Sequence, residues 1–199
     1  QRIGRRAKVD YGYAGKIKDT IEALLPMIEE KTDKDFLNEM RKLHEQQEEK
    51  YASYVKAKSS EKNIHPEFVA AVVDEVAADD AIFTSMANAM PMAIGAGLSR
   101  PDRQVIALCG DGGISMLLGD LMTISQYDIP VKIVVFNNRS LGMVKLEMNV
   151  AGYPDWQTDM ENPDFAQVAQ AMNIASWNVE QCENVEPTLK KAFAHKGPA

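Results

Sequence analysis

Cysteine is scarce in this 199-residue chain. Cys109 and Cys182 stand 73 residues apart with no CxxC pair, and Cys109 lies inside an apolar run. Buried free thiols are favoured over a disulfide, which fits a reducing cytoplasm. Long apolar runs are missing too. No stretch reaches about 18 apolar residues, so no transmembrane helix is expected. The basic start, "QRIGRRAKVDYGYAG", has no apolar core behind it and does not read as a secretion signal. Positive charge is in deficit: 22 Lys and Arg stand against 29 Asp and Glu, a net charge of −7. Such a chain has no footing for sequence-independent binding of nucleic acid or of an anionic membrane. Two nucleotide signatures are also lacking. No Gly-Lys-Ser/Thr exists for a P-loop. "GDGGIS" matches only part of G-x-G-x-x-G, with no acidic residue ending the next strand, which disfavours a Rossmann site. What is present is an ordinary globular composition, 45% hydrophobic and 26% charged, long enough for one large domain.

Along the chain, residues 9–14 read as a short strand. Residues 16–25 carry Ile17, Ile21, Leu24 and Leu25 at helical spacing. Thr32 and Asp35 form a capping-box pattern. Phe36, Leu37, Met40, Leu43, Tyr51, Tyr54 and Val55 then mark one face of a long charged helix. The polar run "KAKSSEKN", residues 56–63, reads as a linker. His65-Pro66 sets the next helix start, with a buried stripe of Phe68, Val69, Val72, Val73 and Val76. Residues 104–109 form an apolar strand, 116–127 have helical spacing, and 131–136 form a second, β-branched strand. Asn162-Pro163 reads as a cap and first-turn proline for a helix through Met172. Glu186-Pro187 opens the last helix, ended by Gly197 and Pro198. Strands alternating with helices imply an α/β fold, a parallel sheet flanked by helices with right-handed crossovers.

Ligands bind outside the carboxyl ends of the strands in such sheets. "CGDGGISM" and "FNNRS" both fall at such ends. Gly110, Gly112 and Gly113 permit a sharp turn and close approach to a ligand. The following helix aims its free N–H groups at the turn, which suits an anion. Asp111 places a negative charge there as well, so a cation must lie between the carboxylate and any phosphate. Asn138 can add a neutral oxygen from the neighbouring strand end, and the backbone just past it another. Oxygen ligands with one carboxylate suit Mg²⁺. Each motif alone is compatible with plain turn chemistry. Two at matching strand ends, one crossover apart, favour the cation site over that reading.

Gly110-Asp111-Gly112, 24 intervening residues and Asn137-Asn138 resemble the thiamine-diphosphate motif, which is highly specific at this spacing. Residues 85–148, from "SMANAMP" to "NNRSLGMVKLEM", resemble the diphosphate-binding domain of the pyruvate oxidase group, which includes quinone-linked pyruvate dehydrogenases. The similarity runs from about Ile3 to the end. Residues 3–28 resemble the tail of the family's central domain, which binds FAD in the oxidases. The resemblance implies residues 1–30 as that tail, 31–63 as linker helix and linker, and 64–199 as the cofactor-binding domain.

The resemblance also implies roles. Asp111 and Asn138 would ligate Mg²⁺ by side chain, and Ser140 by its backbone oxygen. Gly112, Gly113 and the segment Arg139, Ser140, Leu141, Gly142, Met143 and Val144 would contact the diphosphate and thiazolium edge of thiamine diphosphate. Ser85 and Met86 would also meet the cofactor. Met86 matches the apolar residue wedged between its two rings, where a strut enforces the bend without competing hydrogen bonds. The other reading of Met86 is core packing. Met143 and Glu147 match positions facing the substrate, although Glu147 reads equally well as a solvated helix residue. Pyruvate or a related 2-oxo acid would be the substrate, with the chemistry largely the cofactor's.

The family's pyrimidine-binding domain, which supplies the catalytic glutamate from a partner subunit, has no counterpart here. No catalytic acid is therefore expected in this chain, and a homodimer or homotetramer is. "DDAIFT" runs directly into "SMANAMP", so a family segment between residues 84 and 85 is either deleted or omitted from the sequence. The end at "HKGPA" comes before an expected last strand. The chain reads as a portion of a longer cytoplasmic enzyme of pyruvate oxidase type. Acetolactate synthase or another 2-oxo acid decarboxylase of the superfamily is the alternative. A non-catalytic remnant or assembly module is the third.

Overall fold

A computed structural model describes residues 7–57 and 63–199. They fall into two compact units, one ending at Glu49 and the other spanning Lys50–Ala199.

In the first unit, residues 9–14 form no strand. A lone strand leaves its backbone N–H and C=O groups unpaired, and no described segment pairs with this one. Helix α1, Ile17–Leu24, forms as its spacing predicts, followed by a 3₁₀ turn at Leu25–Met27. Its apolar face of Ile17, Ile21 and Leu24 is exposed. Helix α2, Asp35–Ala57, begins in this unit and continues past its boundary at Glu49. The capping bond is made by Asp33, whose Oδ1 accepts from the Asp35 N–H at 2.8 Å. Thr32 is thus not the cap, because an Asx turn from two residues back reaches the same donor. Of the expected linker, residues 58–62 lie outside the described residues, and residues 56–57 close α2.

The second unit is built on three parallel strands in the order β1, Ile82–Ser85; β2, Val105–Gly110; β3, Val131–Phe136. Helix α4, Ala89–Ser99, joins the first pair. Helices α5, Asp111–Met116, and α6, Asp120–Gln126, join the second. The expected continuous helix over 116–127 is therefore two helices. The first begins at the glycine motif itself, and the chain breaks between Leu117 and Gly119.

Strand β2 is apolar at every position because both sheet faces are covered. Val105, Ala107 and Cys109 face Met90, Ala93, Leu121 and Ile124 of α4 and α6, all buried. Ile106, on the opposite face, packs with Phe68, Val72 and Val73 of α3, Pro66–Val76, and with Val185 and Leu189 of α9, Val185–Ala194. Helix α3 begins at Pro66, with His65 as its N-cap residue. Lys132 interrupts the apolar pattern of β3 and is 4% exposed. Its ammonium donates to the carbonyls of His195 and Gly197, both at 2.6 Å. Burial still pushes its pKa below the ordinary lysine value.

No disulfide joins Cys109 and Cys182; Cys109 is buried and Cys182 half-buried. Burial pushes the Cys109 thiol up to about 11. The thiolate is the reactive form, so at pH 8 a thiol reagent should label Cys182 first and Cys109 only on unfolding. Quantitative labelling of both in the folded protein would contradict this placement. The pKa shift has a stability consequence of definite sign. The unfolded thiol ionises first as pH rises, so stability should fall between about pH 9 and 11.

Candidate functional site

Strand register brings the two sequence motifs side by side. Gly110 pairs with Phe136, so β2 and β3 end level with one another. The chain turns directly into α5 at Asp111 and into the Asn137-Asn138 loop after Phe136. None of Gly110, Gly112 and Gly113 has a positive φ, so the turn does not need left-handed backbone. The glycine requirement that the structure shows is one of space. A Cβ on Gly113 would lie 3.2 Å from the Ala87 Cα, in the turn that follows β1.

That turn carries the first strained residue. Met86 has φ +76, unusual for a residue with a long side chain. The turn is held by the Ala89 N–H donating to the Met86 carbonyl at 3.1 Å and by the buried Thr84 hydroxyl donating to the Ala89 carbonyl at 2.8 Å. The Met86 side chain is 80% exposed, so it does not pack in the core. Ser85, the last residue of β1, is exposed as well. Arg139, with φ +56, is the second strained residue and sits in the opposite loop. Such outliers gather at sites whose surroundings over-determine them.

Asp111 is 3% exposed. Its Oδ1 accepts from the Gly112 N–H at 2.9 Å, and its Oδ2 accepts from the Asn162 amide at 2.8 Å. The same amide nitrogen donates to Asn137 Oδ1 at 2.8 Å. Asn162 therefore bridges the two motifs. The sequence reading made it a helix cap, and that is incorrect. Helix α8, Phe165–Ala171, is capped by Asp164, which accepts from the N–H groups of Ala166 and Gln167. Asn162-Pro163 carries a cap signal, but Asp164 lies closer to the helix and takes that position.

Asn138 Oδ1 accepts from the Ser140 N–H at 3.0 Å. The Ser140 hydroxyl is buried and has no hydrogen-bond partner among the described residues. The loop is bound to a strap formed by residues 151–164. The Leu141 N–H donates to the Thr158 carbonyl at 2.7 Å, and the Met160 N–H donates to the Arg139 carbonyl at 2.9 Å. Gly142 opens helix α7, Gly142–Val150, on which Met143, Val144 and Glu147 are exposed. Lys145 of α7 meets Asp155 of the strap at 2.5 Å, and Thr158 donates its hydroxyl to the same carboxylate. The Lys145 ammonium, then the Thr158 hydroxyl, hold the Asp155 carboxyl below its ordinary pKa. Thr158, 2% exposed, and Asn162 are the site residues that sequence reasoning missed.

Sequence-predicted positions thus gather in three places. Asp111, Gly112 and Gly113 start α5, residues 138–141 form the facing loop, and Ser85 ends β1 with Met86 in the turn after it. Met143, Val144 and Glu147 stand apart on α7. An open groove of about 1300 Å³ borders the site, lined in part by Asn137, Asn138, Arg139, Asn162 and Trp177.

Among the described residues no three His, Cys, Asp or Glu side chains cluster as metal ligands. A cation here would meet one carboxylate plus amide, hydroxyl and main-chain oxygens. That hard-oxygen set suits Mg²⁺ sharing its remaining positions with phosphate oxygens. Asp111 forms no ion pair among the described residues. A buried carboxylate with hydrogen bonds but no counter-charge is costly, and a cation removes that cost.

The chain is similar to proteins named for thiamine diphosphate and to acetolactate synthases. A solved structure, the thiamine diphosphate-dependent 4-hydroxybenzoylformate decarboxylase of Rhodococcus jostii RHA1, superimposes with a TM-score of 0.66 at 26% identity, over 70% of this chain and 32% of its own. "Putative thiamine pyrophosphate-containing protein YdaP" of Bacillus subtilis (strain 168) is 30% identical over 228 residues, covering 99% of this chain and 39% of that protein. The mitochondrial acetolactate synthase of Schizosaccharomyces pombe is 37% identical over 115 residues, 57% of this chain and 17% of that one. The chain thus spans well under half the length of these curated relatives. Residues 69–199 match the family described as "Thiamine pyrophosphate enzyme, C-terminal TPP binding domain". The chain belongs to that family.

Proposed function

We propose that this chain holds the diphosphate and Mg²⁺ of thiamine diphosphate for an enzyme that decarboxylates pyruvate oxidatively. One observation carries the reading: a buried Asp111, with no ion-pair partner among the described residues, at the junction of two level parallel strand ends, bridged by Asn162 to the asparagine motif. Asp111 and Asn138 would hold the metal by side chain and Ser140 by its backbone oxygen. Gly112, Gly113 and residues 139–144 would line the diphosphate. Met143 and Glu147 would face the substrate. When bound, the cofactor would supply a nucleophilic thiazolium carbon and a ring that holds the electron pair left behind as CO₂ departs. The chain's own share is to clamp the metal, keep water away and brace the cofactor with Met86.

FAD in the whole enzyme is part of this reading. Support comes from the start of the chain, which resembles a flavin-domain tail and aligns with YdaP along with the rest. That alignment covers 228 residues against the 199 present here. The excess supports a family segment with no counterpart in this sequence, which we place between residues 84 and 85. Cys109 and Cys182, neither of them in a disulfide, favour the cytoplasm. Assembly with a pyrimidine-binding domain, as a homodimer or homotetramer, fits the exposure of Met86, Met116 and Met143.

A second reading, acetolactate synthesis, rests on the Schizosaccharomyces pombe match. The two are separated in the full-length enzyme given thiamine diphosphate, Mg²⁺ and pyruvate. Reduction of a bound flavin is the expected result, and acetolactate accumulation without flavin reduction would select the second reading. Failure to bind thiamine diphosphate with Mg²⁺ would overturn both.

Met86 offers a separate check. Met86→Ala should leave diphosphate affinity nearly unchanged and slow exchange of the cofactor's C2 proton about tenfold or more, because small misplacement of reacting groups has large rate effects. NMR-detected exchange at the wild-type rate would remove the strut from the proposal.

A further inference from the structure

Asn162 lies 51 residues from Asp111 and 25 from Asn137, yet one amide group touches both. Asp111 Oδ2, as a carboxylate oxygen, only accepts, so the Asn162 nitrogen must face it. The second N–H of that nitrogen then fixes Asn137 with its oxygen inward. Asp111 Oδ1 is meanwhile tied to the Gly112 N–H. Both carboxylate oxygens are held, and each keeps lone-pair capacity for a cation. Asn162 is placed by the strap, whose antiparallel bridge joins Ser140 to Asp159 just before it.

We propose that Asn162 is a positioning residue of the cation site, locking Asp111 and the asparagine loop in the orientation that binds Mg²⁺. The inference rests on the thiamine-diphosphate reading above. Mg²⁺ demands near-ideal octahedral geometry, whereas Ca²⁺ accepts irregular ligand arrangements. A carboxylate freed to rotate therefore loses more for the smaller ion. Outer-shell partners of metal ligands typically contribute 10–100-fold to affinity.

The test is titration calorimetry on the full-length enzyme, with Mg²⁺ and separately Ca²⁺ added at saturating thiamine diphosphate. Asn162→Ala should weaken Mg²⁺ about tenfold and Ca²⁺ less than about threefold, so the Mg²⁺ preference drops. Asp164→Ala, two residues on, is the control for general damage to the strap. It removes the α8 cap and should lower thermal stability while leaving both ion affinities in place. Unchanged Mg²⁺ affinity in Asn162→Ala overturns the proposal. So does an equal loss for both ions, or the same loss in Asp164→Ala. Wild-type protein that binds neither ion with the cofactor overturns the underlying reading, and this inference with it.

Discussion

Asp111→Ala should abolish most Mg²⁺-dependent binding of thiamine diphosphate without destabilising the metal-free protein. The two effects have opposite physical origins. In the loaded site the carboxylate is the only charged protein ligand proposed for the cation. A charge-assisted contact contributes roughly 1.5–3 kcal/mol, which corresponds to about 10- to 150-fold in affinity. In the metal-free protein the same carboxylate is 3% exposed and has no counter-ion among the described residues. Removing it removes a desolvation penalty, while the Asn162 amide loses one acceptor and keeps another on Asn137. Calorimetric titration of the full-length enzyme reports the first effect, and thermal melting without Mg²⁺ reports the second. Undiminished cofactor affinity would end the assignment of Asp111. A large fall in metal-free stability would mean that its hydrogen bonds, not a cation, justify the buried charge.

The strand ends that make this site were legible because their signals are local. Residues 131–136 are rich in β-branched Val and Ile and bounded by Pro130 and Asn137, and they form β3 over that same range. His65-Pro66 set the start of α3, and Phe68, Val72 and Val73 are its buried face. Strand β1 escaped notice for a physical reason. It has four residues, IFTS, of which Thr84 alone is buried. Its pairing with residues 105–108 supplies what its own sequence lacks. The break between α5 and α6 was hidden because Leu117 and Leu118 continue the apolar run while still packing on the core. Asn162 is the instructive miss. Asn before Pro is a local cap signal, and the hydrogen bonds that matter go to residues 51 and 25 positions away. Nothing in residue order announces a contact of that range.

The glycines show the same division between pattern and space, and they yield a further test. Gly110, Gly112 and Gly113 look alike in the motif, but their surroundings differ. A Cβ on Gly110 would meet nothing within 4 Å, and its φ of −75 is ordinary. A Cβ on Gly112 would press on the tip of Leu141, a flexible side chain, at 2.6 Å. On Gly113 it would meet the backbone of Ala87 at 3.2 Å, and backbone cannot step aside as a side-chain tip can. Gly113→Val adds two further carbons beyond that Cβ. Helix α5 and the Met86 turn must then separate, at a cost of about 1–3 kcal/mol by the usual scale of overpacking. The separation acts where the motif meets Met86, so cofactor binding should weaken along with stability. Gly110→Ala, by contrast, should change stability by no more than about 0.5 kcal/mol. Denaturant unfolding of the two variants beside the wild type decides the matter. Equal stabilities for Gly113→Val and Gly110→Ala would show that α5 does not press on the β1 turn. Met86 would then owe its strained φ to something other than that contact.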